Sequence, residues 1–472
     1  MPPKYDIGVI GLAVMGANVS RNIARNGYKT IVYNRTPEKT REFLKNFGDE
    51  YLSGKENLHD FVAALEKPRK IILMIKAGEA VDFTISSILP FLEKDDILVD
   101  SGNSHFQGTI RRERELKAKK IHFFGVGVSG GEEGALKGPS IMPGGDKNAY
   151  IKHLAPIFEK IAARDFSGKP CTTYIGENGA GHYVKMVHNG IEYAVMQILA
   201  EVYDLLRKLS HFPASQIADV FAKLHQGKLE SYLTEISVKI LQKKDGDTSQ
   251  YLLEKILDKA EQKGTGKWTV LDALDRGIAL PTISEAVNAR NISAQKELRV
   301  KLNTTYTSPS DSQNISYEEL ERILENAVSA AILSAYAQGY FLISEASREQ
   351  NWNIDLAEIS RIWQGGCILR AKVLQFLENA FRNAPEKYSH LFLFPEISEE
   401  IRESLPSLRK LVTIGAQGGV PLPCIMSALS YIENMCHARG SGNFLQGLRD
   451  FFGAHGFERI DREGKFHEKW GN

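Results

Sequence analysis

Short apolar runs alternate with amphipathic stretches over the first third of the chain. Each run is followed by glycine or by small and polar residues, and the runs lie at 5–10, 30–34, 70–75, 97–100 and 123–128. Apolar runs of this length, separated by helical periods, are typical of βαβ units that form a parallel sheet. The pattern predicts an α/β domain over residues 1–178.

From about Gly179 the apolar positions change to long helical periods. The clearest helical segments are 181–208, 247–263 and 316–347. They predict a large all-α domain over residues 179–436. The third segment is small and apolar at 327–333, as in a central buried helix, and it loosely resembles the first. An internal duplication and a chance match of helix periods explain that resemblance equally well.

The end of the chain, residues 437–472, combines glycines with aromatic residues after Cys436. Such a segment buries rings without building a core of its own. It must therefore dock either on its own domain or on a partner subunit. The sequence predicts a third unit, a carboxyl-terminal tail, over this range.

The helix predicted at 181–208 carries an unusual polar stripe. Positions three, four and seven apart share one face of a helix, which aligns the side chains of Lys185, His188, Asn189 and Glu192. Further along the same face the residues become apolar, so the stripe is expected to face an interior cleft. Burial lowers a lysine pKa and raises a glutamate pKa, which suits the pair to act as base and acid. A surface helix or a buried structural ion pair would give the same pattern.

The first apolar run leads directly into a glycine turn and then a helical period. The turn reads Gly11-Leu12-Ala13-Val14-Met15-Gly16, with Ala13 where the dinucleotide fingerprint has its second glycine. In a strand–turn–helix unit of this kind the helix amino terminus receives a pyrophosphate. The turn favours dinucleotide binding in a Rossmann-type domain over a purely structural role.

The tip of the second run indicates which dinucleotide binds. An acidic residue there would bind the ribose 2′-hydroxyl of NAD, whereas this chain has Asn34-Arg35-Thr36. An arginine between short polar residues suits the 2′-phosphate of NADP. The alternative is a solvated surface arginine.

Three later turns place polar or glycine residues at the carboxyl ends of strands, where open α/β sheets bind ligands. Ser129-Gly130-Gly131 is either a carboxylate-binding nest or only a tight turn. Asn103, in the turn after residue 100, is equally ambiguous. Lys76 and Ala77 follow Ile75 in the turn after the third run.

A glycine-bearing loop at 263–269 superficially resembles a P-loop. Glu261 occupies the position of the first P-loop glycine and Trp268 that of the Ser or Thr, so we reject this interpretation. Lys263 and Thr265 could still hold a substrate phosphate, as could Arg290. A solvated loop is the alternative for all three.

Composition excludes several functional classes. With 59 basic and 58 acidic residues the net charge is +1, which indicates no preference for nucleic acid or for a membrane surface. The four cysteines form no CxxC pair, and we expect reduced core residues and no metal site. No apolar run approaches the ~20 residues that span a bilayer. The amino terminus leaves no room for a signal peptide, so a soluble cytoplasmic protein is expected.

Taken together, these motifs resemble one family in both content and order. The glycine turn, Asn34-Arg35-Thr36, Ser129-Gly130-Gly131, the 185–193 stripe, the 264–269 loop and residues 449–455 are similar to those of the decarboxylating 6-phosphogluconate dehydrogenases. Ala13 is what that family carries. The resemblance implies conversion of 6-phosphogluconate and NADP⁺ into ribulose 5-phosphate, CO₂ and NADPH without a metal, in the oxidative pentose phosphate pathway. It also implies a homodimer in which each tail reaches into the other subunit.

The resemblance assigns a role to each matching residue. Lys185 would be the base in oxidation and then protonate during decarboxylation, and Glu192 would protonate C1 of the enediol. The substrate would be bound by Asn103, Ser129, Gly130, Gly131, His188, Asn189, Tyr193, Lys263, Thr265, Arg290 and the partner's Arg449 and His455. NADP would be bound by Gly11, Leu12, Ala13, Val14, Met15, Gly16, Asn34, Arg35, Thr36, Ile75, Lys76, Ala77 and Asn103. The resemblance assigns no role to the chain after Arg459.

Two other functions compete with this hypothesis. A simple β-hydroxyacid dehydrogenase would share the first domain and the lysine helix, but it would need neither Glu192 nor the tail. A non-catalytic NADP-binding sensor would need neither Lys185 nor Glu192. Release of CO₂ distinguishes the first alternative, and any turnover excludes the second.

Overall fold

The computed structural model describes residues 4–306, 317–383 and 389–471. The first third of the chain forms a seven-stranded sheet in the order β3-β2-β1-β4-β5-β6-β7, parallel except for the last strand. Its strands are β1 (Ile7–Ile10), β2 (Thr30–Tyr33), β3 (Leu52–Gly54), β4 (Lys70–Leu73), β5 (Ile97–Asp100), β6 (His122–Val128) and β7 (Ile141–Gly144).

Helices cover this sheet as the alternating pattern predicts. They are α1 (Val14–Arg25), α2 (Pro37–Phe47), α3 (Leu58–Ala63), α4 (Glu79–Ile88), α5 (Phe106–Lys117), α6 (Gly131–Lys137), α7 (Lys147–Ala149) and α8 (Ala155–Ile161). The five predicted strands are confirmed. The sequence analysis missed β3 and β7, because one has only three residues and the other contains a proline and a glycine.

The remainder of the body is helical, which confirms the predicted fold class. Its helices are α9 (Ala180–Leu209), α10 (Ala214–Gln226), α11 (Tyr232–Gln242), α12 (Thr265–Asp275), α13 (Pro281–Ala294), α14 (Lys296–Thr305), α15 (Tyr317–Gln350), α16 (Leu356–Ile362), α17 (Val373–Asn383), α18 (Pro395–Gln417) and α19 (Pro423–Met435). The long helices α9 and α15 lie at the centre and match two predicted segments. Ser316, the first residue of the predicted segment 316–347, lies outside the described residues.

The predicted helix at 247–263 is wrong. Only a 3₁₀ turn, Leu252–Lys255, forms there. At the start of this turn the amide of Leu252 donates to the carbonyl of Lys243. The apolar residues that suggested a helix do not share a buried face, since Ile256 and Leu257 are exposed. Without a face to bury, so short a segment gains too little to remain helical.

One helix in the described chain, Glu318–Gln350, is long and apolar enough by length and composition to span a membrane, although the sequence has no continuous apolar run of ~20 residues there. Of its most apolar window, 89% is buried within the molecule. Serine, tyrosine and glutamine interrupt the apolar residues along this helix, so they form no continuous run in the sequence. Packing on all sides accounts for its composition.

Two helix starts in the body are capped in the same way. Both α13 and α19 begin with Leu-Pro-X-Ile, at 280–283 and 422–425. Gln338 of α15 accepts from the Thr282 amide at 2.9 Å, and Glu201 of α9 accepts from the amides of Cys424 (2.9 Å) and Ile425 (3.0 Å). Each central helix therefore caps one helix of this matching pair, an arrangement that favours internal duplication over chance.

Glu201 differs from Gln338 in being able to ionise. Burial raises the pKa of Glu201 to about 7, although the amides of Cys424 and Ile425 oppose the shift. A carboxyl whose folded pKa lies above its unfolded value adds stability below the unfolded pKa and loses it as pH rises through the folded one. We expect the free energy of unfolding to fall by about 3 kcal/mol between pH 4.5 and 8 from this group. Thermal unfolding of Glu201→Gln between pH 4.5 and 8 should lack this fall in the free energy of unfolding. A pH dependence equal to that of the wild type would contradict the raised pKa of Glu201.

Three of the four cysteines follow the prediction of buried free thiols, and one does not. Cys171, Cys367 and Cys424 are buried and free, whereas Cys436 is free but exposed. Cys436 was expected in the core because cysteine is among the most buried residue types. It follows the last residue of α19, where the chain leaves the helical body for the tail.

The tail forms a helix followed by a small hairpin: α20 (Gly442–Gly453), β8 (Phe457–Glu458) and β9 (Lys465–Phe466). One face of α20 is apolar and exposed, with Phe444 and Phe452 each 72% accessible. The remaining exposed members of this apolar face are Leu445, Leu448 and Phe451. The single chain therefore leaves this face uncovered.

Candidate active site

The polar stripe of α9 is buried in the cleft between the sheet domain and the helical body. Lys185 is only 7% exposed, and its Nζ donates to Asn189 Oδ1 at 2.7 Å and to Ser129 Oγ at 3.3 Å. Ser129 follows β6, so this contact joins the end of the sheet to the helix. The surface-helix interpretation is therefore excluded. A structural ion pair is also disfavoured, because these partners of the ammonium are neutral oxygens.

Burial changes the acid–base properties of both ionisable ends of the stripe. It lowers the pKa of Lys185, with the nearby Glu192 carboxylate opposing the shift. Burial likewise raises the pKa of Glu192, with Lys185 and Arg290 opposing. Both shifts bring the groups toward neutral pH, as general acid–base catalysis requires.

His188 lies between these two groups. Its Nδ1 is 3.4 Å from Lys185 Nζ and 3.6 Å from Glu192 Oε2, while its ring packs edge-on against Trp363. Burial, followed by the charge of Lys185, holds the pKa of His188 well below its usual range. The imidazole is therefore neutral, and its buried Nε2 has no hydrogen-bond partner among the described residues. An unpaired buried nitrogen is uncommon in folded proteins and costs free energy.

The segment predicted as a loop at 263–269 enters α12 at Thr265, and its residues pack against α9. Asn189 Nδ2 donates to Thr265 Oγ1 at 3.0 Å, and Gly266 packs so closely on Tyr193 that a Cβ would lie 2.6 Å from the ring. Arg290 stacks over the same Tyr193 ring at 3.4 Å from its centroid. Thr265, Tyr193 and Arg290 are thus grouped beside Glu192 at one end of the stripe. Lys263 is exposed at the loop entrance.

The Ser129 turn is tight for a visible steric reason. Gly130 has φ +109°, and a Cβ there would lie 2.6 Å from the carbonyl oxygen of Gly366. Gly131 is also left-handed, but a Cβ there would meet open space. Packing thus requires glycine at 130, whereas at 131 only the backbone conformation does. The turn is therefore tight, and it also presents Ser129 to Lys185, while carboxylate binding there stays a prediction.

A cavity of about 590 Å³ opens at the carboxyl ends of β1, β2 and β4. The glycine turn borders it, and Leu12 N donates to Asn34 Oδ1 at 3.1 Å, which ties the turn to the tip of β2. Among the predicted cofactor residues, those that line it are Gly11, Leu12, Ala13, Asn34, Arg35, Thr36, Ile75 and Lys76. Its size and the cations at one end fit an elongated phosphorylated nucleotide.

Other predicted cofactor residues lie outside the lining of this cavity. Val14, Met15 and Gly16 form the first turn of α1, where a Cβ on Gly16 would collide with the Gly11 carbonyl. Ala77 is in the turn before α4, and Asn103 is exposed in the turn after β5. The sequence analysis missed Lys39, which borders the cavity beside Arg35 and Thr36. Its spacing of four residues from Arg35 on the start of a helix was the available signal.

The two predicted tail residues are exposed in the single chain. Arg449 Nη1 donates to Gln446 at 3.1 Å, and the His455 ring packs edge-on to Phe452. Both contacts lie within the tail itself. The structure therefore groups the predicted residues into a buried stripe, a nucleotide cavity and an exposed tail pair.

Known proteins match this chain over nearly its whole length. The family model for the NAD binding domain of 6-phosphogluconate dehydrogenase matches residues 6–176, and that for the 6-phosphogluconate dehydrogenase C-terminal domain matches residues 181–470. The NADP(+)-dependent decarboxylating 6-phosphogluconate dehydrogenase of Bacillus subtilis is 48% identical over 468 residues, 99% of each chain. The NAD(+)-dependent decarboxylating enzyme of the same organism is 45% identical over 465 residues, 98% of this chain and 99% of that one.

A solved structure resembles this chain over almost its full length. It is that of Plasmodium falciparum 6-phosphogluconate dehydrogenase, described in its apo form, with its cofactor NADP⁺ and with its substrate 6-phosphogluconate. The two chains superpose with a TM-score of 0.95 at 44% identity, covering 98% of this chain and 100% of that one.

Proposed function

The chain belongs to the 6-phosphogluconate dehydrogenase family, and on that premise we propose that it oxidises and decarboxylates 6-phospho-D-gluconate to D-ribulose 5-phosphate and CO₂ while reducing NADP⁺. The observation that carries this proposal is the buried face of α9. It presents Lys185 and Glu192, with pKa values shifted in opposite directions, on either side of a neutral His188.

Lys185 serves the oxidation step. The C3 hydroxyl must lose its proton as hydride leaves C3, and bound NADP⁺ supplies the hydride acceptor. Burial lowers the pKa of Lys185, which favours the neutral amine that can take that proton. Its contacts with Ser129 and Asn189 fix the amine at the mouth of the Ser129 turn. Proton removal thus takes place at the junction of the two domains.

The same lysine and Glu192 serve the remaining steps. The 3-keto acid loses CO₂ because the C3 carbonyl accepts the electron pair, and protonated Lys185 stabilises the developing oxyanion. The resulting enediol takes a proton at the former C2 of the substrate, which becomes C1 of ribulose 5-phosphate. Glu192 donates this proton, because burial raises its pKa and favours the protonated acid. The ketone is the electron sink for decarboxylation. The scheme therefore assigns no step to a metal.

The surrounding groups hold the substrate along the helix. The Ser129-Gly130-Gly131 turn and Asn103 bind the carboxylate end, and His188 and Asn189 bind hydroxyls. Tyr193, Lys263, Thr265 and Arg290, joined by the partner's Arg449 and His455, bind the phosphate. Two observations support this polarity: Arg290 is stacked in place over Tyr193, and Thr265 is bonded to Asn189.

The cofactor cavity supports NADP rather than NAD. The tip of β2 presents Arg35 and Thr36 with Lys39 beside them, and no carboxylate occupies the ribose position. The turn at Gly11–Gly16 receives the pyrophosphate, and Ile75, Lys76, Ala77 and Asn103 complete the set that contacts the dinucleotide. Charge-assisted bonds from a guanidinium make the 2′-phosphate the favoured ligand.

Arg35→Glu should separate the two cofactors. Reversing the charge places a carboxylate against the 2′-phosphate, so we expect KM for NADP⁺ to rise roughly 100-fold, whereas KM for NAD⁺ stays within a few-fold. Steady-state kinetics with both cofactors measure this change. Arg41→Glu, also a surface arginine of this domain but paired with Glu38 and Glu56, is the matched control. An equal loss for both cofactors would make Arg35 a structural residue.

We infer that the functional unit is a homodimer with shared sites. The exposed apolar face of α20 needs a cover, and a second exposed apolar surface on the body includes Leu271 and Leu274 of α12 and Ile292 of α13. Exposed apolar surface of this extent is typical of an interface. α12 and α13 also carry Thr265 and Arg290. A tail from the partner lying there would bring Arg449 and His455 to the phosphate.

Subunit complementation tests the shared site. Lys185→Ala and Arg449→Ala homodimers should each be nearly inactive, because every site contains one defect. In a mixed dimer one of the two sites combines an intact Lys185 with an intact Arg449. Reassociating equal amounts should therefore restore about a quarter of wild-type activity. If mixing restores none, the two residues belong to the same chain's site.

The remaining assignments follow the same proposal. Residues 1–178 form the NADP-binding domain, 179–436 the helical domain for substrate and dimer contacts, and 437–472 the tail. The reaction belongs to the oxidative branch of the pentose phosphate pathway. Four unpaired thiols support a reducing, cytoplasmic location.

Product analysis tests the proposed function against a simple β-hydroxyacid dehydrogenase. Incubation with 6-phosphogluconate and NADP⁺ should give ribulose 5-phosphate, identified by NMR, with no 3-keto acid accumulating. A six-carbon keto acid as the end product would replace the proposal with the simpler dehydrogenase.

A further inference from the structure

We propose that the last part of the chain, residues 456–470, is a clasp that positions Arg449 and His455 through the buried carboxylate of Asp450. The inference rests on the proposed function, which puts those two side chains at the substrate phosphate. It gives a role to the segment after Arg459, to which the family resemblance assigns none. Asp450 is a positioning residue in this account and does not touch substrate.

Asp450 is the one fully buried side chain of α20, a helix whose other residues are exposed or half-buried. Its carboxylate has four donors from the following segment. Oδ1 accepts from Gly456 N at 2.8 Å and His467 Nδ1 at 2.9 Å, and Oδ2 from Trp470 Nε1 at 2.8 Å and Glu468 N at 3.0 Å. These hydrogen bonds hold the pKa of Asp450 well below its usual range, despite the opposing effect of burial. The ionised carboxylate thus binds two separate stretches of the tail, the turn at Gly456 and residues 467–470.

Gln446, one turn before Asp450, makes a second connection. Its Oε1 accepts from Arg449 Nη1 at 3.1 Å, and its Nε2 donates to the carbonyl of Gly456. The side chain therefore bridges the Arg449 guanidinium and the turn that Asp450 holds through the Gly456 amide. Arg449 and the turn cannot shift independently.

His455 lies inside that turn. Its neighbours Ala454 and Gly456 both have left-handed backbone conformations, with φ +48° and +74°. For alanine this conformation is unfavourable and persists only where surrounding contacts impose it. The bonds from Asp450 and Gln446 to Gly456 are those contacts. Releasing them would free the backbone on both sides of the imidazole.

The clasp lies apart from the apolar face of the tail. That face, with Phe444, Phe451 and Phe452, is exposed and free to meet a partner, whereas Asp450 is buried beneath the hairpin. Docking and positioning are therefore carried by different residues. A change at Asp450 can disturb the phosphate-binding pair while leaving the docking surface intact.

Asp450→Asn tests this inference, with Asp461→Asn as the matched control. Asn accepts at one oxygen only, so at least one pair of donors loses its partner. Asp461 is an exposed carboxylate of the same tail, paired with Arg459. We expect Asp450→Asn to raise KM for 6-phosphogluconate roughly tenfold or more, since hydrogen bonds to charged groups are lost. Turnover, KM for NADP⁺ and the sedimentation coefficient should stay near wild type, as should every parameter of Asp461→Asn.

Two further measurements separate positioning from mere folding of the tail. Trp470→Phe keeps the ring beside Phe457 but removes one donor, and it should raise the same KM by roughly threefold. Inorganic phosphate, used as a competitive inhibitor, should bind more weakly to both variants, in parallel with the rise in KM. The clasp would be overturned if Asp450→Asn left KM for 6-phosphogluconate unchanged. It would also be overturned if the KM values for 6-phosphogluconate and NADP⁺ rose equally and the dimer dissociated. Failure of the wild type to turn over 6-phosphogluconate would instead overturn the proposed function.

Discussion

Replacing Lys185 with alanine should lower turnover roughly 10²–10⁴-fold, the range for losing a general acid–base group. The amine serves two steps in the proposed scheme, so no other group on the α9 face compensates. His188 cannot substitute, because burial, the largest cause of its lowered pKa, persists after the amine is removed. Steady-state kinetics with saturating 6-phosphogluconate and NADP⁺ measure the loss. Near-normal turnover in a folded variant would remove Lys185 from the mechanism.

A matched variant distinguishes the amine from the space that it fills. Lys185→Met keeps an unbranched chain of similar length without the amine, and it should be as inactive as Lys185→Ala. Added small alkylamines should restore part of the activity of the alanine variant, which leaves a space beside Ser129 and Asn189. They should not rescue the methionine variant, whose side chain fills that space. Equal rescue of both would place the effect outside the site.

Replacing Glu192 with glutamine should slow steady-state turnover by a similar factor but leave the first turnover fast. Glutamine preserves the shape of the side chain and cannot donate a proton to carbon. Oxidation and decarboxylation precede that proton transfer, so one NADPH and one CO₂ per site should appear in a burst. Stopped-flow absorbance measures the burst. A slow first turnover with no burst would assign Glu192 to an earlier step.

Much of the fold was predictable because its signals are local. A parallel sheet buried on both faces needs continuous apolar strands, and β1, β2, β4, β5 and β6 are such runs. The long helices α9 and α15 were equally clear from their helical periods. β3 was not predictable, because three residues are too few to show a strand period. The conformation after Asp247 was not predictable either, because it depends on whether neighbouring elements bury the apolar residues there.

The site was predictable to the extent that one element carries it. The spacing of Lys185, His188, Asn189 and Glu192 along a single helix aligns their side chains whatever surrounds them. The burial that shifts their pKa values comes from other elements, and the contact with Ser129 joins residues 56 positions apart. The spacing alone therefore left the structural ion pair open.

Other functional features depend on contacts that no spacing reveals. Lys39 borders the nucleotide cavity because α2 begins immediately after the tip of β2. Glu201 meets the start of α19 across 223 positions, and Asp450 gathers donors from a segment without a recognisable motif. Only the three-dimensional arrangement shows that these carboxylates are buried and what they hold.

Simultaneous recording of reduced cofactor and CO₂ tests the central claim most directly. The purified protein, treated with a chelator and supplied with 6-phosphogluconate and NADP⁺, should release one CO₂ for each NADPH formed from the first turnovers onward. Reduced cofactor without CO₂, or no turnover despite NADP binding, would contradict the account.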